Sequence, residues 1–179
     1  NQVLSSKKVS FFQLRLKKTN LKSKIFIGKK IKKICEKHHV KFIINDDPII
    51  AKKVNADGCH LGQKDMNIYN ARKLLKNKII GVTCHNSLRL AKKSVREGAN
   101  YLAFGSFYSS KTKKTKYKAS LKILRLAKKL TNIPIVAIGG IKDTNYKKLL
   151  LNKANFLAIS GYIWNNKKLN PKEAINKLI

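Results

Sequence analysis

Short apolar runs alternate with amphipathic, lysine-rich runs from one end of the chain to the other, and this rhythm constrains the fold more than any other feature. The apolar runs cover residues 9–16, 41–45, 58–61, 78–83, 101–107, 134–138 and 156–160. Several are almost continuous in apolar residues, as expected of strands buried on both faces. Between them, residues 21–38, 48–54, 68–75, 87–97, 119–130, 144–151 and 171–178 read as helices. Ile31, Ile34 and Cys35, or Leu121, Leu124 and Ala127, mark one apolar face at helical spacing. A repeated β-α order predicts a parallel sheet with right-handed crossovers. Such a sheet is either open and doubly wound or closed into an eight-stranded barrel. Seven strands leave a barrel one short. The chain begins at Asn1, and residues 1–8 read as the tail of a helix. The expectation is one (β/α) barrel domain over residues 1–179, N-terminally incomplete, with its first strand before Asn1.

Composition narrows the classes further. A chain of 179 residues, 43% hydrophobic, can bury one core, which argues against disorder. No run of 18 apolar residues occurs, so no membrane-spanning helix and no membrane partner is expected. Cys35, Cys59 and Cys84 lack metal-ligand spacing and fit a reducing compartment, most simply the cytoplasm. The formal charge is +33, from 41 Lys+Arg against 8 Asp+Glu. These cations are scattered from Lys7 to Lys177, and lysine far outnumbers arginine, the better reader of bases. They read as a lysine-biased surface without a specific nucleic-acid partner, whose field attracts phosphorylated small molecules. A lysine-rich nucleic-acid-binding module is the rival from another class; it predicts steeply salt-dependent binding.

Where acids are scarce, each one invites a question. Glu36, Glu97 and Glu173 fall on helices as surface groups, whereas Asp46, Asp47, Asp57, Asp65 and Asp143 flank strands. Acids there either cap the next helix or bind a metal. Chemistry in parallel α/β proteins sits at the carboxyl ends of the strands. The first run ends Gln13-Leu14-Arg15-Leu16-Lys17, so Gln13, Arg15 and Lys17 alternate onto one face. Two cations and an amide facing the sheet's interior side are costly unless a polyanion meets them. The next ends Asn45-Asp46-Asp47-Pro48, and the third leads into Gly62-Gln63-Lys64-Asp65. Neighbouring strands lie about 4.8 Å apart, so Asp46 and Asp65 can converge to hold Mg²⁺ with a substrate diphosphate; helix capping is the alternative. Thr83 places a hydroxyl at a strand end, and His85 beside it reads as structural. His60 is either core or a stacking surface for a flat heterocycle. Ser110, Thr112 and Lys113 lie in a basic loop long enough to close over a ligand. Gly139-Gly140 at a strand end lets backbone N–H groups approach a phosphate, with Ser160 at the end of the last strand as partner.

Together these strand ends resemble thiamine-phosphate synthase, a (β/α)₈ TIM barrel family. The resemblance runs in order from about residue 9 to residue 165. It rests on the Gln-Leu-Arg-Leu-Lys run at 13–17, Asn45-Asp46, the Ala-Asp-Gly-Cys-His-Leu-Gly-Gln-Lys-Asp run at 56–65, residues 81–85, residues 101–105, Thr112-Lys113 and residues 137–141. The family implies a Mg²⁺-dependent transferase in thiamine biosynthesis. Hydroxymethylpyrimidine diphosphate and thiazole phosphate give thiamine phosphate and diphosphate. The resemblance implies Asp46 and Asp65 as the metal ligands. Arg15, Lys17, Asn45 and Lys113 would grip the diphosphate, with Thr83 helping. Gln13 and His60 would sit by the pyrimidine, and Ser110, Thr112, Gly139, Gly140 and Ser160 would hold the thiazole phosphate. Departures are Leu16 in place of the usual Glu, Thr83 in place of Ser, and Ser109-Ser110 in place of Pro-Thr; the last phosphate strand aligns to Ser160 or Gly161. The related thiazole tautomerases, and a barrel that only binds a thiamine precursor, are the nearer rivals.

Overall fold

The computed structural model describes residues 1–110 and 116–178. The chain divides into two compact units, Asn1–Gly81 and Val82–Ile179. In the first unit, a 3₁₀ turn (Leu4–Ser6) precedes β1 (Phe11–Leu14), α1 (Leu21–Lys37), β2 (Lys41–Asn45), α2 (Pro48–Lys53), β3 (Gly58–Leu61), α3 (Ile68–Leu75) and the start of β4 (Ile79–His85). β1, β2 and β3 pair in parallel and in chain order. The register sets Gln13 beside Ile43, Leu14 beside Ile44, and Asn45 beside His60. Side chains alternate along a strand and paired neighbours share a face. Gln13, Ile43, Asn45 and His60 therefore lie on one side, with Leu14, Phe42, Ile44 and Cys59 on the other. Phe42 and Cys59 are fully buried on that second face, and α1 and α2 pack against β2.

Local chemistry sets where the helices begin. Asn20 caps α1 by accepting from Ser23 N–H at 2.8 Å. Asp47 caps α2 through Ile49 N–H at 2.9 Å and Ile50 N–H at 3.0 Å, with Pro48 in the first turn. Asn67 caps α3 through Asn70 N–H at 2.8 Å.

The second unit continues β4 into α4 (Leu88–Arg96), β5 (Tyr101–Phe104), α5 (Leu121–Leu130), β6 (Ile135–Ile138), α6 (Tyr146–Leu151), β7 (Phe156–Ala158), α7 (Gly161–Trp164) and α8 (Pro171–Asn176). β5, β6 and β7 are again parallel and in chain order, with Ala103 beside Val136 and Val136 beside Phe156. Leu102, Phe104, Leu124, Ile135 and Leu149 fill its core. No helix among the described residues is long and apolar enough to cross a membrane.

Several boundaries differ from the sequence expectations. β1 stops at Leu14, because its partner β2 turns away at Asp46, whose φ is 67°. β5 stops at Phe104, where Gly105 packs against β6 so closely that a Cβ would lie 2.3 Å from the Ile138 carbonyl oxygen. β7 ends at Ala158, and β4 runs on to His85. Residues 1–8 hold a single 3₁₀ turn instead of a helix tail, and the four-residue α7 is too short to show a helical period in the sequence.

Candidate active site

The acids that the sequence placed at strand ends take three different roles. Asp47 caps α2. Asp57 neither caps a helix nor lines the cavity beside β1 and β2. Its Oδ2 accepts Phe42 N–H and the Lys32 ammonium, each at 2.8 Å, tying α1 to the start of β2. Burial alone would raise the Asp57 carboxyl, but Lys32, the Phe42 N–H and Lys41 hold it below the usual carboxylate range. Asp143, in the second unit, accepts Thr144 N–H at 2.9 Å. In the first unit that leaves Asp46 and Asp65, and neither caps a helix. The capping alternative is therefore removed for both, since the caps next to them are Asp47 and Asn67.

Asp46 follows β2 in left-handed backbone, a conformation that Asp tolerates better than most residues. Its N–H donates to the His60 carbonyl at 2.7 Å, which fixes the end of β2 against β3. Asp65 lies in the turn after β3, where its Oδ2 accepts Gly62 N–H at 2.6 Å. The two carboxyl groups share a hydrogen bond, and Lys17 donates to Asp46 Oδ2. Burial pulls Asp46 upward, but the Lys17 contact, the Asp65 hydrogen bond and the nearby Arg15 charge bring it below its ordinary value. Asp65 goes the other way. Burial, joined by the Asp46 hydrogen bond and charge, outweighs the Gly62 N–H and Lys17 and raises it. Opposite shifts are what two neighbouring carboxyl groups impose on each other, since the charge of one disfavours ionisation of the other.

A cavity of about 430 Å³ opens beside this pair, a size that suits a small ligand. Lys17, Asn45, Asp46 and Asp65 line it, and its apolar wall includes Leu14, Leu16, Ile44 and Ile50. Leu14 and Ile44 belong to the helix-facing side of the sheet and Asn45 to the other, so the cavity lies at the carboxyl ends of β1 and β2, beside α1 and α2. Gln13, Arg15 and His60 do not line it. Gln13 and Arg15 are exposed, whereas His60 is 7% exposed beside Asn45 on the opposite sheet face. The single interior face expected for Gln13, Arg15 and Lys17 is thus divided, because the strand ends before Arg15 and frees Lys17 to reach Asp46. Lys24, half-buried on α1, also lines the cavity. Sequence reasoning missed it because one lysine among 41 basic residues carries no signal.

Among the described residues no group of three or more His, Cys, Asp or Glu side chains could hold a metal. The acid pair therefore offers two hard oxygen donors and leaves positions for water and substrate, a donor set that fits Mg²⁺.

The remaining candidates belong to the second unit. Thr83 is half-buried on β4, on the face opposite the buried Val82 and Cys84. Gly139 and Gly140 turn the chain after β6 with φ of 98° and 64°. A Cβ at Gly139 would sit 2.0 Å from Ser106 Oγ, and one at Gly140 2.3 Å from the Ser109 carbonyl oxygen. Packing as well as backbone conformation therefore requires glycine at both positions. Tyr108 N–H donates to the Gly139 carbonyl at 3.1 Å, and Asn145 Nδ2 donates to the Gly140 carbonyl at 3.1 Å, bracing the turn. Ser110 is half-buried. Ser160 is exposed at the start of α7, where its carbonyl accepts Ile163 N–H at 3.0 Å and Trp164 N–H at 2.9 Å, and Gly161 is the first residue of that helix. Thr112 and Lys113 lie outside the described residues.

Comparison with known proteins supplies the context for this geometry. A family model described as thiamine monophosphate synthase matches residues 1–163. The chain belongs to this family. A thiamine-phosphate synthase of Pelagibacter ubique is 74% identical over 176 residues, covering 98% of this chain and 85% of the relative. One from Saccharophagus degradans is 43% identical over 152 residues, covering 84% of this chain and 70% of the relative. Among solved structures, thiamine phosphate pyrophosphorylase from Pyrococcus furiosus superimposes with a TM-score of 0.88 at 28% identity, covering 99% of this chain and 85% of that one. A 3-hexulose-6-phosphate synthase structure, at 16% identity and a TM-score of 0.71, shares the fold alone. The α/β barrel class expected from the β-α rhythm is that of the thiamine-phosphate synthase family.

Proposed function

We infer that the protein is a thiamine-phosphate synthase, a transferase that joins hydroxymethylpyrimidine diphosphate to thiazole phosphate and releases diphosphate. The observation that carries this reading is the acid pair beside bound lysine. Asp46 and Asp65 lie side by side, Lys17 donates to Asp46, and all three line a cavity able to hold a small ligand.

The reaction breaks a carbon–oxygen bond to diphosphate and forms a carbon–nitrogen bond to the thiazole ring. It requires no protein nucleophile, and the protein contributes by stabilising the departing polyanion and aligning two flat rings. In this reading Asp46 and Asp65 hold Mg²⁺, which when bound neutralises charge on the diphosphate. Lys17, Arg15, Asn45 and Lys113 contact the same leaving group, and Thr83 adds a hydroxyl. Gln13 and His60 address the pyrimidine. Gly139, Gly140 and Ser160, with Ser110 and Thr112, receive the phosphate of the thiazole partner. The net charge of +33 favours capture of both phosphorylated substrates at low ionic strength. The thiazole tautomerase reading has no need of the Asp46–Asp65 pair.

The test is formation of thiamine phosphate by the protein mixed with both substrates and Mg²⁺. Asp46→Ala and Asp65→Ala are each expected to lower kcat/KM by about a hundredfold or more, as loss of a preorganised charge-stabilising group does, while circular dichroism stays unchanged. Full activity in both variants refutes the metal assignment, and no product from the unmutated protein refutes the function.

A further inference from the structure

Tyr117 and His85 are not used by the function proposed above, yet their rings stack with centroids 3.9 Å apart and planes 19° from parallel. His85 closes β4 in left-handed backbone, φ 53°, and its carbonyl accepts Gly105 N–H at 3.0 Å. Ser106 then clasps the residues around Tyr117. Its N–H donates to the Tyr117 carbonyl at 3.2 Å, and its carbonyl accepts Ala119 N–H at 2.9 Å. From Ser106 the contacts lead on to the glycine turn. Ser106 Oγ donates to the Tyr108 carbonyl at 2.6 Å, and Tyr108 N–H donates to the Gly139 carbonyl at 3.1 Å. Gly139 rests against the Ser106 side chain with no room for a Cβ. Tyr108 Oη donates to the Asn145 carbonyl at 3.1 Å, and Asn145 in turn holds Gly140.

An unbroken set of contacts thus joins the ring pair to the Gly139–Gly140 turn. Tyr117 is 53% exposed, so its ring is not a core element. Stacked flat rings fix orientation as well as separation. Backbone groups that receive a phosphate must be held to a fraction of an ångström. We propose that the Tyr117–His85 stack is a positioning device for the thiazole-phosphate side of the site, acting through Ser106 on the Gly139–Gly140 turn. This rests on the reading of that turn as the phosphate holder.

The experiment titrates thiazole phosphate into the full chain by calorimetry and measures KM for each substrate in the unmutated protein, Tyr117→Ala and Tyr117→Phe. Tyr117→Ala is expected to weaken thiazole-phosphate binding and raise its KM by about tenfold, within the range seen for coupling through packed networks. KM for the pyrimidine diphosphate and the thermal midpoint stay unchanged. Tyr117→Phe keeps a flat ring and restores the unmutated values. Equal effects on both substrates, no effect of Tyr117→Ala, or failure of Tyr117→Phe to restore binding overturns the positioning role. If the unmutated protein binds thiazole phosphate and Tyr117→Ala binds it about tenfold more weakly, but no thiamine phosphate forms, the proposed function falls and the stack stands. If the protein turns over and Tyr117→Ala binds normally, the stack falls and the function stands. If the unmutated protein does not bind thiazole phosphate, both fall.

Discussion

Asp57→Ala is expected to be among the most damaging single changes in the first unit, although Asp57 does not line the cavity. The Phe42 N–H lies under a fully buried residue and finds its acceptor in Asp57 Oδ2. The Lys32 side chain is 13% exposed and donates to the same oxygen. Leaving a buried donor unmatched costs about 1–3 kcal/mol. Removing one partner of a buried ion pair costs about 3–5 kcal/mol at the upper end. Glu36 still lies 3.4 Å from Lys32 after the change, and Lys41 at 4.0 Å is an exposed partner worth little. A loss of about 3 kcal/mol is the resulting expectation. With a urea dependence of roughly 2 kcal/mol per molar, the unfolding midpoint falls by about 1.5 M. Asp57→Asn keeps an acceptor for Phe42 N–H and loses only the charge, so about half that loss is expected. The sign with pH follows from the direction of the shift. Asp57 is held below its ordinary value of 3.8, chiefly by Lys32 once burial is overcome. Its contribution is therefore complete above that value and disappears as pH drops through the lower folded one. The gap between the unmutated protein and Asp57→Asn is expected to close on acidification. A urea midpoint for Asp57→Ala within about 0.3 M of the unmutated protein refutes the reasoning.

Two further predictions concern buried positions. Gly58→Ala places a Cβ 2.1 Å from the Ile79 carbonyl oxygen, so strand backbone must shift; a destabilisation of about 2–3 kcal/mol in urea unfolding is expected, and an unchanged midpoint contradicts the packing. Burial pushes the Cys35 and Cys84 thiols up to about 11 and Cys59 to about 12, so none is ionised near neutral pH. A thiol-reactive disulfide reagent is expected to label them only after denaturation, and rapid labelling of the native protein argues against their burial.

Legibility in the sequence followed burial and periodicity. β2, β3 and α3 have the boundaries read from sequence, because their apolar residues are contiguous or helically spaced and are closed by Asn45-Asp46, Gly62 and the Asn67 cap. β1 was overextended because Leu14-Arg15-Leu16 continues the alternation after the ladder has ended, and ladder ends depend on a partner strand far away in sequence. Asp46 and Asp65 were legible since acids are rare here. Separating Asp46 from the cap Asp47, and recognising Asp57 as a tie between α1 and β2, needed hydrogen-bond partners that spacing does not encode. The contribution of Lys24 on α1 to the cavity was equally hidden. Stacking of Tyr117 on His85 joins residues 32 positions apart, which no local pattern announces.

With 41 basic residues against 8 acids, positive charges far outnumber the negative ones that could offset them. Like charges therefore dominate the folded surface, and their repulsion is damped by salt over a screening length of about 10 Å at 0.1 M. In most proteins added electrolyte weakens surface attraction; here its main effect is to relax an outward push that the compact state otherwise contains by itself. Small counter-ions act for this protein as a diffuse part of its structure, and the buffer's saltiness helps decide how firmly the chain stays folded.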